Sequence, residues 1–224
     1  MSISFYNRIV SPNGLYAGWE RVAANDGAPG VDGVSVNKFD VQFERHLERL
    51  HTELATFTYR TLPLRRYEIP KTSGKIRSLA VPAVRDRIAQ TSACIVLQPI
   101  FERELERCSF AYRPGLSRIN AIEHIRQLRN EGYRWVVDAD IESFFDNVEF
   151  GLLLRRFREL IPENETVALI EQWLKADILL DGKRVKRDKG LPQGSTISTL
   201  LANLFLDKFD EAFTAAKLPR GLIR

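Results

Sequence analysis

The stretch YRWVVDADI, residues 133–141, is the strongest strand candidate in the chain. It is rich in aromatic and β-branched residues and follows a glycine, which favours a β-strand. Alternate side chains of a strand share a face, so Asp138 and Asp140 are expected on one face, about 7 Å apart. Like charges so placed cost free energy unless a cation or hydrogen-bond donors compensate them, and hard oxygen ligands suit Mg2+. The alternative is one aspartate that caps a turn and one in solvent, which we favour for this tripeptide taken alone.

Helices and a basic hairpin precede this stretch. Apolar spacings of three and four predict helices over residues 5–24, from about Val36 to 54 with Asn37 as a candidate cap, over 84–105 and over 117–130. Residues 64–81 contain two β-rich runs around a bend near Ser73-Gly74, which predicts a hairpin.

Helices and a second hairpin follow it. The predicted elements are helices over residues 152–160, 163–176 and 195–216 and a hairpin over 177–188 with Asp181-Gly182 as its turn. Neither a repeat nor a linker interrupts the pattern. The sequence therefore predicts an α+β fold whose helix-rich half ends at about Gly132.

The composition is that of an ordinary soluble domain and excludes several classes of protein. The chain has 224 residues, 44% hydrophobic and 28% charged, which argues against disorder and coiled coil. Its two cysteines, Cys94 and Cys108, have no CxxC partner, so neither a zinc site nor a disulfide framework is expected. The N-terminal residues have no signal-peptide pattern, and the longest uncharged stretch, residues 190–206, is too short and polar to span a membrane. We expect a cytoplasmic protein without a membrane partner.

The positive charge is concentrated in two segments. Residues 58–87 contain eight basic residues against two acidic ones: Arg60, Arg65, Arg66, Lys71, Lys75, Arg77, Arg85 and Arg87 against Glu68 and Asp86. Residues 181–189 contain five basic residues against two acidic ones: Lys183, Arg184, Lys186, Arg187 and Lys189 against Asp181 and Asp188. Clustered Lys and Arg suit contact with nucleic-acid phosphates, and the alternative is that both segments are simply solvated surface.

Four motifs occur in one order along the chain: IPKTSGKIRSLAVPAVRDRIAQ (69–90), FAYRPGLSR (110–118), DADIESFFDN (138–147) and KGLPQGSTISTLLANLFLD (189–207). In this order they resemble the reverse transcriptases of the group II intron type, which are RNA-directed DNA polymerases with fingers, palm and thumb. The segments VRDRIAQ and FAYRPGLSR are similar to the CRISPR-associated branch, in which the polymerase sits beside or is fused to spacer-acquisition proteins. The resemblance spans the chain from the GAPGVDGV loop (27–34) to Arg224.

The resemblance implies a right-hand polymerase fold. Residues 1–131 would form the fingers, with the N-terminal helices, the basic hairpin at about 64–81 and a long helix. Residues 132–224 would form a partial palm with an antiparallel sheet, which contains the strand at 133–141, the second hairpin and the helix after the LPQG loop. The thumb would be absent.

The resemblance also implies a metal site. Asp140 would be the first catalytic carboxylate and a ligand of both Mg2+ ions, and the backbone carbonyl of Ile141 would bind one of them. Mn2+ would be a substitute ion. Two such ions suit nucleotidyl transfer, in which they activate the primer 3′-hydroxyl and stabilise the leaving pyrophosphate. Asp138 has no role in the resemblance.

Further residues match positions that contact nucleotide or nucleic acid. Phe145 would lie under the sugar and reject a 2′-hydroxyl, unless it and Phe144 simply pack, which on a strand only one of them could do. The other implied nucleotide contacts are Lys71 and Arg77 on the triphosphate and Gln193 and Gly194 beside the nascent base pair, with Lys75 in reserve. Arg113 would contact the template, although a structural arginine at a turn is equally expected. The basic residues Arg66, Lys186 and Arg187 complete the implied nucleic-acid surface.

In the resemblance, the strand after the last helix carries Tyr-Ala-Asp-Asp, which supplies the remaining metal-binding carboxylates. This chain ends LPRGLIR at Arg224, where that motif would begin, and has no other Asp-Asp pair. We therefore expect an engineered or natural truncation, or one piece of a split enzyme, that is inactive alone. The unpaired palm edge would invite dimerisation.

Three functions remain open from the sequence. The first is a polymerase that copies RNA or DNA template-primer with dNTPs, together with an intron RNA or CRISPR spacer-acquisition proteins as further partners. The second is a catalytically inactive nucleic-acid-binding or scaffold module that retains the polymerase fold. The third, an RNA-directed RNA polymerase, is disfavoured by the bulky Phe145.

Overall fold

The computed structural model describes residues 4–70, 76–180, 182–216 and 221–224. The helices among these residues are α1 (Phe5–Val10), α2 (Pro12–Asn25), α3 (Val36–Asp40), α4 (Phe43–Ala55), α5 (Val84–Phe101), α6 (Arg118–Asn130), α7 (Phe144–Asn147), α8 (Phe150–Leu160), α9 (Asn164–Leu174) and α10 (Ser198–Ala215). The strands are β1 (Leu64–Pro70), β2 (Ile76–Val81), β3 (Ile178–Leu180) and β4 (Lys183–Val185). No described helix is long and apolar enough to cross a membrane.

Two helices predicted as single elements are each divided in two. Residues 5–24 divide at Ser11, whose hydroxyl accepts a hydrogen bond from the Gly14 N–H and so caps α2, with Pro12 at its first position. The next predicted helix divides between α3 and α4, and its cap is Ser35 rather than Asn37. The apolar periodicity did not reveal either break, because the helices on both sides of each break bury residues in the same core.

The core is centred on α5, which packs along α2 and is buried around most of its circumference. A single cluster of buried apolar residues extends from α1 through α5 to α8, α9 and the first half of α10. The core is therefore shared by residues from both sides of the predicted boundary between residues 131 and 132. The division into fingers and palm at that point stays a prediction.

The two predicted hairpins form and join in one four-stranded sheet of order β2-β1-β3-β4. Each hairpin is antiparallel within itself, but β1 pairs with β3 in parallel, through Leu64 with Ile178 and Arg65 with Leu179. The sheet is thus mixed, whereas the prediction was antiparallel. The bend near Ser73-Gly74 lies outside the described residues, as does Asp181 of the second turn.

The predicted strand at residues 133–141 does not form in this structure. Its side chains are exposed, with Trp135 95% and Val137 91% accessible. A strand requires a partner for its N–H and C=O groups, and no strand of the described residues pairs with this segment. Strand propensity alone was therefore insufficient, since it reports how well side chains fit a sheet that must be supplied by other residues.

A buried polar cluster links the segment before β1 to α5 and α9. The Tyr59 hydroxyl donates to Asp86 Oδ1 at 2.6 Å and accepts from Trp173 Nε1 at 3.0 Å, while the Leu62 N–H donates to Asp86 Oδ2 at 3.0 Å. Burial raises the pKa of Asp86 from 3.8 to about 6, although these hydrogen bonds and the nearby Arg85 charge oppose the rise.

This pKa predicts a pH-dependent stability. Because folded Asp86 holds its proton more tightly than the unfolded residue, its stabilisation is full below pH 3.8 and is lost as the pH rises through about 6. The free energy of unfolding of wild type minus that of Asp86→Asn, each measured with urea, should therefore change by up to about 3 kcal/mol between those two pH values. A difference that is constant over this range would contradict the assignment.

The glycine-rich loop GAPGVDGV closes over the start of α5. The Pro29 carbonyl accepts from the Tyr67 hydroxyl at 2.9 Å, and the Ala28 carbonyl accepts from Arg87 Nη2 at 3.1 Å. A Cβ atom at Gly30 would lie 2.5 Å from the Cα of Ala83. Only glycine permits so close an approach of two main chains.

We expect Gly30→Ala to lower the free energy of unfolding by about 1–3 kcal/mol, because the added methyl group must displace backbone. Urea unfolding measures the effect. Gly151→Ala is the matched control, since its Cβ would meet no atom within 4 Å and lies in α8. There the substitution should be neutral or stabilising, and equal losses at both positions would refute the packing argument.

Candidate functional site

Asp140 and Ile141 lie in the exposed segment between α6 and α7. The Asp140 carboxylate has no hydrogen bond or ion pair with the described residues. The Ile141 carbonyl accepts one hydrogen bond, from the Phe144 N–H at 3.3 Å, and retains a second lone pair. Both predicted metal ligands therefore have oxygen lone pairs that no described residue uses, and both lie in an exposed segment.

Phe145 lies on α7, a single helical turn, and not on a strand. It is half-buried and packs edge-on against Phe144, with ring centroids 5.5 Å apart. Both rings contact the main core. The expectation that only one of them could pack was conditional on a strand and does not apply, because neighbouring residues of a helix are 100° apart and can both reach one core.

The LPQG loop connects Phe145 to the first hairpin. The Leu191 N–H donates to the Phe145 carbonyl at 2.6 Å, and two residues later Gln193 Oε1 accepts from Arg77 Nε at 3.1 Å. The Gln193 carbonyl also accepts from the Ala80 N–H at 2.7 Å, which fixes the loop against β2. Three of the predicted nucleotide-binding residues, Arg77, Phe145 and Gln193, are thus joined by a short series of contacts.

Gly194 follows in the same loop with φ of +114°. This backbone conformation is strained for any residue with a Cβ atom. A side chain there would also lie 3.4 Å from the Ala80 carbonyl. The turn that brings Gln193 to Arg77 therefore requires glycine.

Sequence reasoning missed two polar pairs that hold this loop. Ser195 donates to Gln90 of α5 at 2.9 Å in a buried contact, and Lys189 Nζ donates to Asn147 Oδ1 at 3.0 Å. Nothing local in the sequence pairs residues so far apart. The available signal was the run of small polar residues in QGSTIST directly before an apolar helix.

The predicted nucleic-acid contacts are placed in two different ways. Arg66 and Lys186 are exposed, and Arg66 forms an ion pair with Glu68 at 3.1 Å. Arg113 instead donates to Glu102 at 2.9 Å and to the carbonyls of residues 106 and 109, with a side chain 11% exposed. Its contact with a template stays a prediction.

Arg187 is also held by the protein itself. It donates to the carbonyls of Leu174, at the end of α9, and Gly190, and its guanidinium lies over the Phe150 ring. Burial lowers its pKa. Lys71 and Lys75 lie outside the described residues, so their roles stay predictions.

The donor set fits part of a magnesium site. Asp140 and the Ile141 carbonyl supply hard oxygens, and Mg2+ completes its octahedron with water and substrate phosphates. Among the described residues, no three acidic, histidine or cysteine side chains come together as a metal cluster. These residues can therefore supply some, but not all, of the protein ligands expected for two ions.

Comparison with known proteins identifies the family. The sequence profile described as "Reverse transcriptase (RNA-dependent DNA polymerase)" matches residues 69–220, which include Arg77, Asp140, Phe145 and Gln193. The chain belongs to the reverse transcriptase family. This family generally uses divalent metal ions in catalysis.

Its relatives include intron-encoded proteins. The chain is 37% identical over 187 residues to Protein YkfC of Escherichia coli, with coverage of 82% of this chain and 49% of that protein. It is 30% identical to the Group II intron-encoded protein LtrA of Lactococcus lactis, over 95% of this chain and 35% of LtrA. This reverse transcriptase chain thus spans half or less of the length of these relatives.

A solved structure has the same fold. The structure titled "Partial Cas6-RT-Cas1--Cas2 complex" matches with a TM-score of 0.62 and 30% identity, over 96% of this chain and 36% of that one. The α+β fold is therefore that of a reverse transcriptase fingers and palm region. The similarities support a group II-type reverse transcriptase near the CRISPR-associated branch.

Proposed function

We propose that the protein synthesises DNA on an RNA or DNA template by two-metal nucleotidyl transfer. The observation that supports it is the contact series from Phe145 through the LPQG loop to Gln193 and Arg77, within a chain of the reverse transcriptase family. These residues come from the segment after Asp140, the loop before α10 and β2. They are far apart in sequence, yet they are the residues that the family resemblance assigns to one nucleotide.

Each group has a distinct role in this proposal. Arg77 donates to the triphosphate of a dNTP, as a guanidinium can do with two parallel N–H groups. Gln193 orients Arg77 and offers its amide to the nascent base pair. Phe145 closes the space beside the sugar C2′ position, where a hydroxyl would have no partner.

Asp140 and the Ile141 carbonyl would hold Mg2+, with Mn2+ as the substitute ion. Bound ions would lower the pKa of the primer 3′-hydroxyl and stabilise charge on the transferred phosphate. The remaining ligands would be substrate phosphates, water and carboxylates outside the described set. Chelation should therefore abolish synthesis.

Primer extension tests the proposal. The assay uses the protein expressed from the full open reading frame that contains this chain, because the chain alone is expected to be inactive, with poly(rA)/oligo(dT), dTTP and Mg2+, and with EDTA and rUTP as separate controls. We expect extension with dTTP that EDTA abolishes. Salt-dependent binding of the primer-template without extension would favour the nucleic-acid-binding module, and equal use of rUTP would favour an RNA polymerase.

The partners are proposed from the relatives. Group II intron-encoded relatives support an intron-type RNA, and the matched structure supports association with Cas proteins. Identification of RNA and protein that co-purify with the tagged protein from its host distinguishes the two. Recovery of neither would contradict this part of the proposal.

A further inference from the structure

A cavity of about 290 Å³ lies between α2, α5 and the start of α10. Its polar lining includes Arg21 of α2, Arg87 and Thr91 of α5, Tyr112, and Thr196 and Thr199 at the start of α10. Its lining contains two arginines and no carboxylate. The cavity is therefore cationic, and it is separate from the contacts around Gln193.

Arg87 has an unusual environment for a charged side chain. Only 7% of the residue is exposed, and its Nε atom has no hydrogen-bond partner. Its Nη2 atom donates to the carbonyls of Gly27, at 3.5 Å, and Ala28, at 3.1 Å, but no described carboxylate lies within ion-pair distance. Asp32 and Asp26 act on this guanidinium only at longer range and offset its burial in part. A buried guanidinium without an ion-pair partner costs free energy, which a bound anion would recover.

A hydroxyl and a helix end face the same space. Thr91 follows Arg87 by one helical turn, is 4% exposed, and its Oγ1 has no partner. The start of α10, which supplies Thr196 and Thr199, has no side-chain cap. Free N–H groups at a helix start attract anions such as phosphate. Together with Arg87, these groups form a site suited to a phosphate.

Tyr112 adds an aromatic face to this site. The residue is 65% exposed, and its backbone has φ of +56°, a left-handed conformation that is uncommon for a bulky residue. Such strain persists where the surrounding structure enforces it, often at binding sites. An exposed ring beside a cationic cavity is the arrangement with which proteins bind single-stranded nucleic acid, because bases stack on aromatic faces.

We propose that this cavity binds one nucleotide of a single-stranded nucleic acid, with its phosphate on Arg21 and Arg87 and its base against Tyr112. The inference rests on the proposed function in one respect: the strand would be the unpaired template. Arg21 is exposed and has no hydrogen bond or ion pair with the described residues, so it is free to meet a phosphate.

The test measures binding of a fluorescent oligouridylate by anisotropy over a range of salt concentrations. Arg21→Gln should weaken binding and reduce the slope of log K against log salt by about 0.7, the value for one phosphate contact on a single strand. Tyr112→Asn should weaken binding about 5-fold to 100-fold without changing the slope, since it removes only stacking. Asparagine tolerates the left-handed backbone, which preserves the fold.

Arg45→Gln is the matched control. Arg45 is an exposed arginine of α4, outside the cavity lining, and its replacement makes the same change of charge. It should leave binding and slope unchanged. Equal effects of Arg45→Gln and Arg21→Gln, or wild-type binding by both cavity variants, would overturn the proposal.

Two further arms separate other outcomes. Inorganic phosphate and UMP are added as competitors. If UMP binds with the same affinity as the oligouridylate and displaces it, the cavity would be assigned to a free nucleotide instead of a strand. Binding and primer extension are both measured with these variants in the protein expressed from the full open reading frame that contains this chain. Absence of extension with the expected binding changes would contradict the polymerase function alone, whereas extension with unchanged binding would contradict the cavity proposal alone.

Discussion

Replacement of Asp140 by asparagine is expected to lower primer extension by about a thousandfold or more. The amide keeps the size of the side chain but removes the negative charge that would offset two divalent cations. Because Asp140 is exposed and its carboxylate has no hydrogen bond or ion pair with the described residues, the substitution should leave the fold intact. Steady-state extension rates on poly(rA)/oligo(dT) with Mg2+ measure the effect.

Asp138→Asn is the control that the chain itself supplies. Asp138 lies two residues earlier in the same exposed segment, and its replacement makes the same change of charge. We expect its extension rate to stay within about twofold of wild type, since surface substitutions away from a site have small effects. Equal losses in both variants would show that general charge, and not a metal ligand, is responsible.

Replacement of Phe145 by valine is expected to lower the preference for dTTP over rUTP by about a hundredfold. The smaller side chain would leave room for a 2′-hydroxyl. The preference should therefore fall because rUTP incorporation becomes faster, and not because dTTP incorporation is lost. The measurement is kcat/KM for each nucleotide. The half-buried ring also packs, so some loss of stability is expected with it.

Phe144→Val separates the two roles of Phe145. Phe144 lies on the same turn, contacts Phe145 edge-on and also reaches Phe205. Its replacement should lower stability by a similar amount and leave nucleotide preference unchanged. If both variants relax the preference equally, α7 packing and not the ring at 145 governs the choice of sugar.

Local sequence patterns predicted the elements whose formation depends on residues close together in the chain. The 64–81 hairpin and the long helix that begins at Val84 occur as expected, because turn residues and apolar periodicity act within a few residues of each other. The helix breaks at Ser11 and between α3 and α4 were missed. At Ser11 a capping hydroxyl outweighed a periodicity that both flanking helices share, whereas α4 begins without a side-chain cap.

The segment at 133–141 illustrates the limit of such signals. Its composition favours a strand, yet strand formation depends on a neighbouring backbone that the segment cannot supply. The parallel pairing of β1 with β3 has the same origin. Residues 64 and 178 meet because α8 and α9 pack on the common core and return the chain to the first hairpin, which no local pattern reports.

The sequence by itself determined the family, the α+β class and the residue types of the site, because each of the four ordered motifs is a short run of adjacent residues that can be identified without a structure. Only the tertiary structure decided which residues meet: Gln193 with Arg77, Leu191 with Phe145, and Arg113 with Glu102. It also decided that Arg87 is buried without an ion-pair partner and lines the same cavity as Tyr112. Contacts and burial depend on how distant elements pack, whereas motifs depend on residues adjacent in the chain.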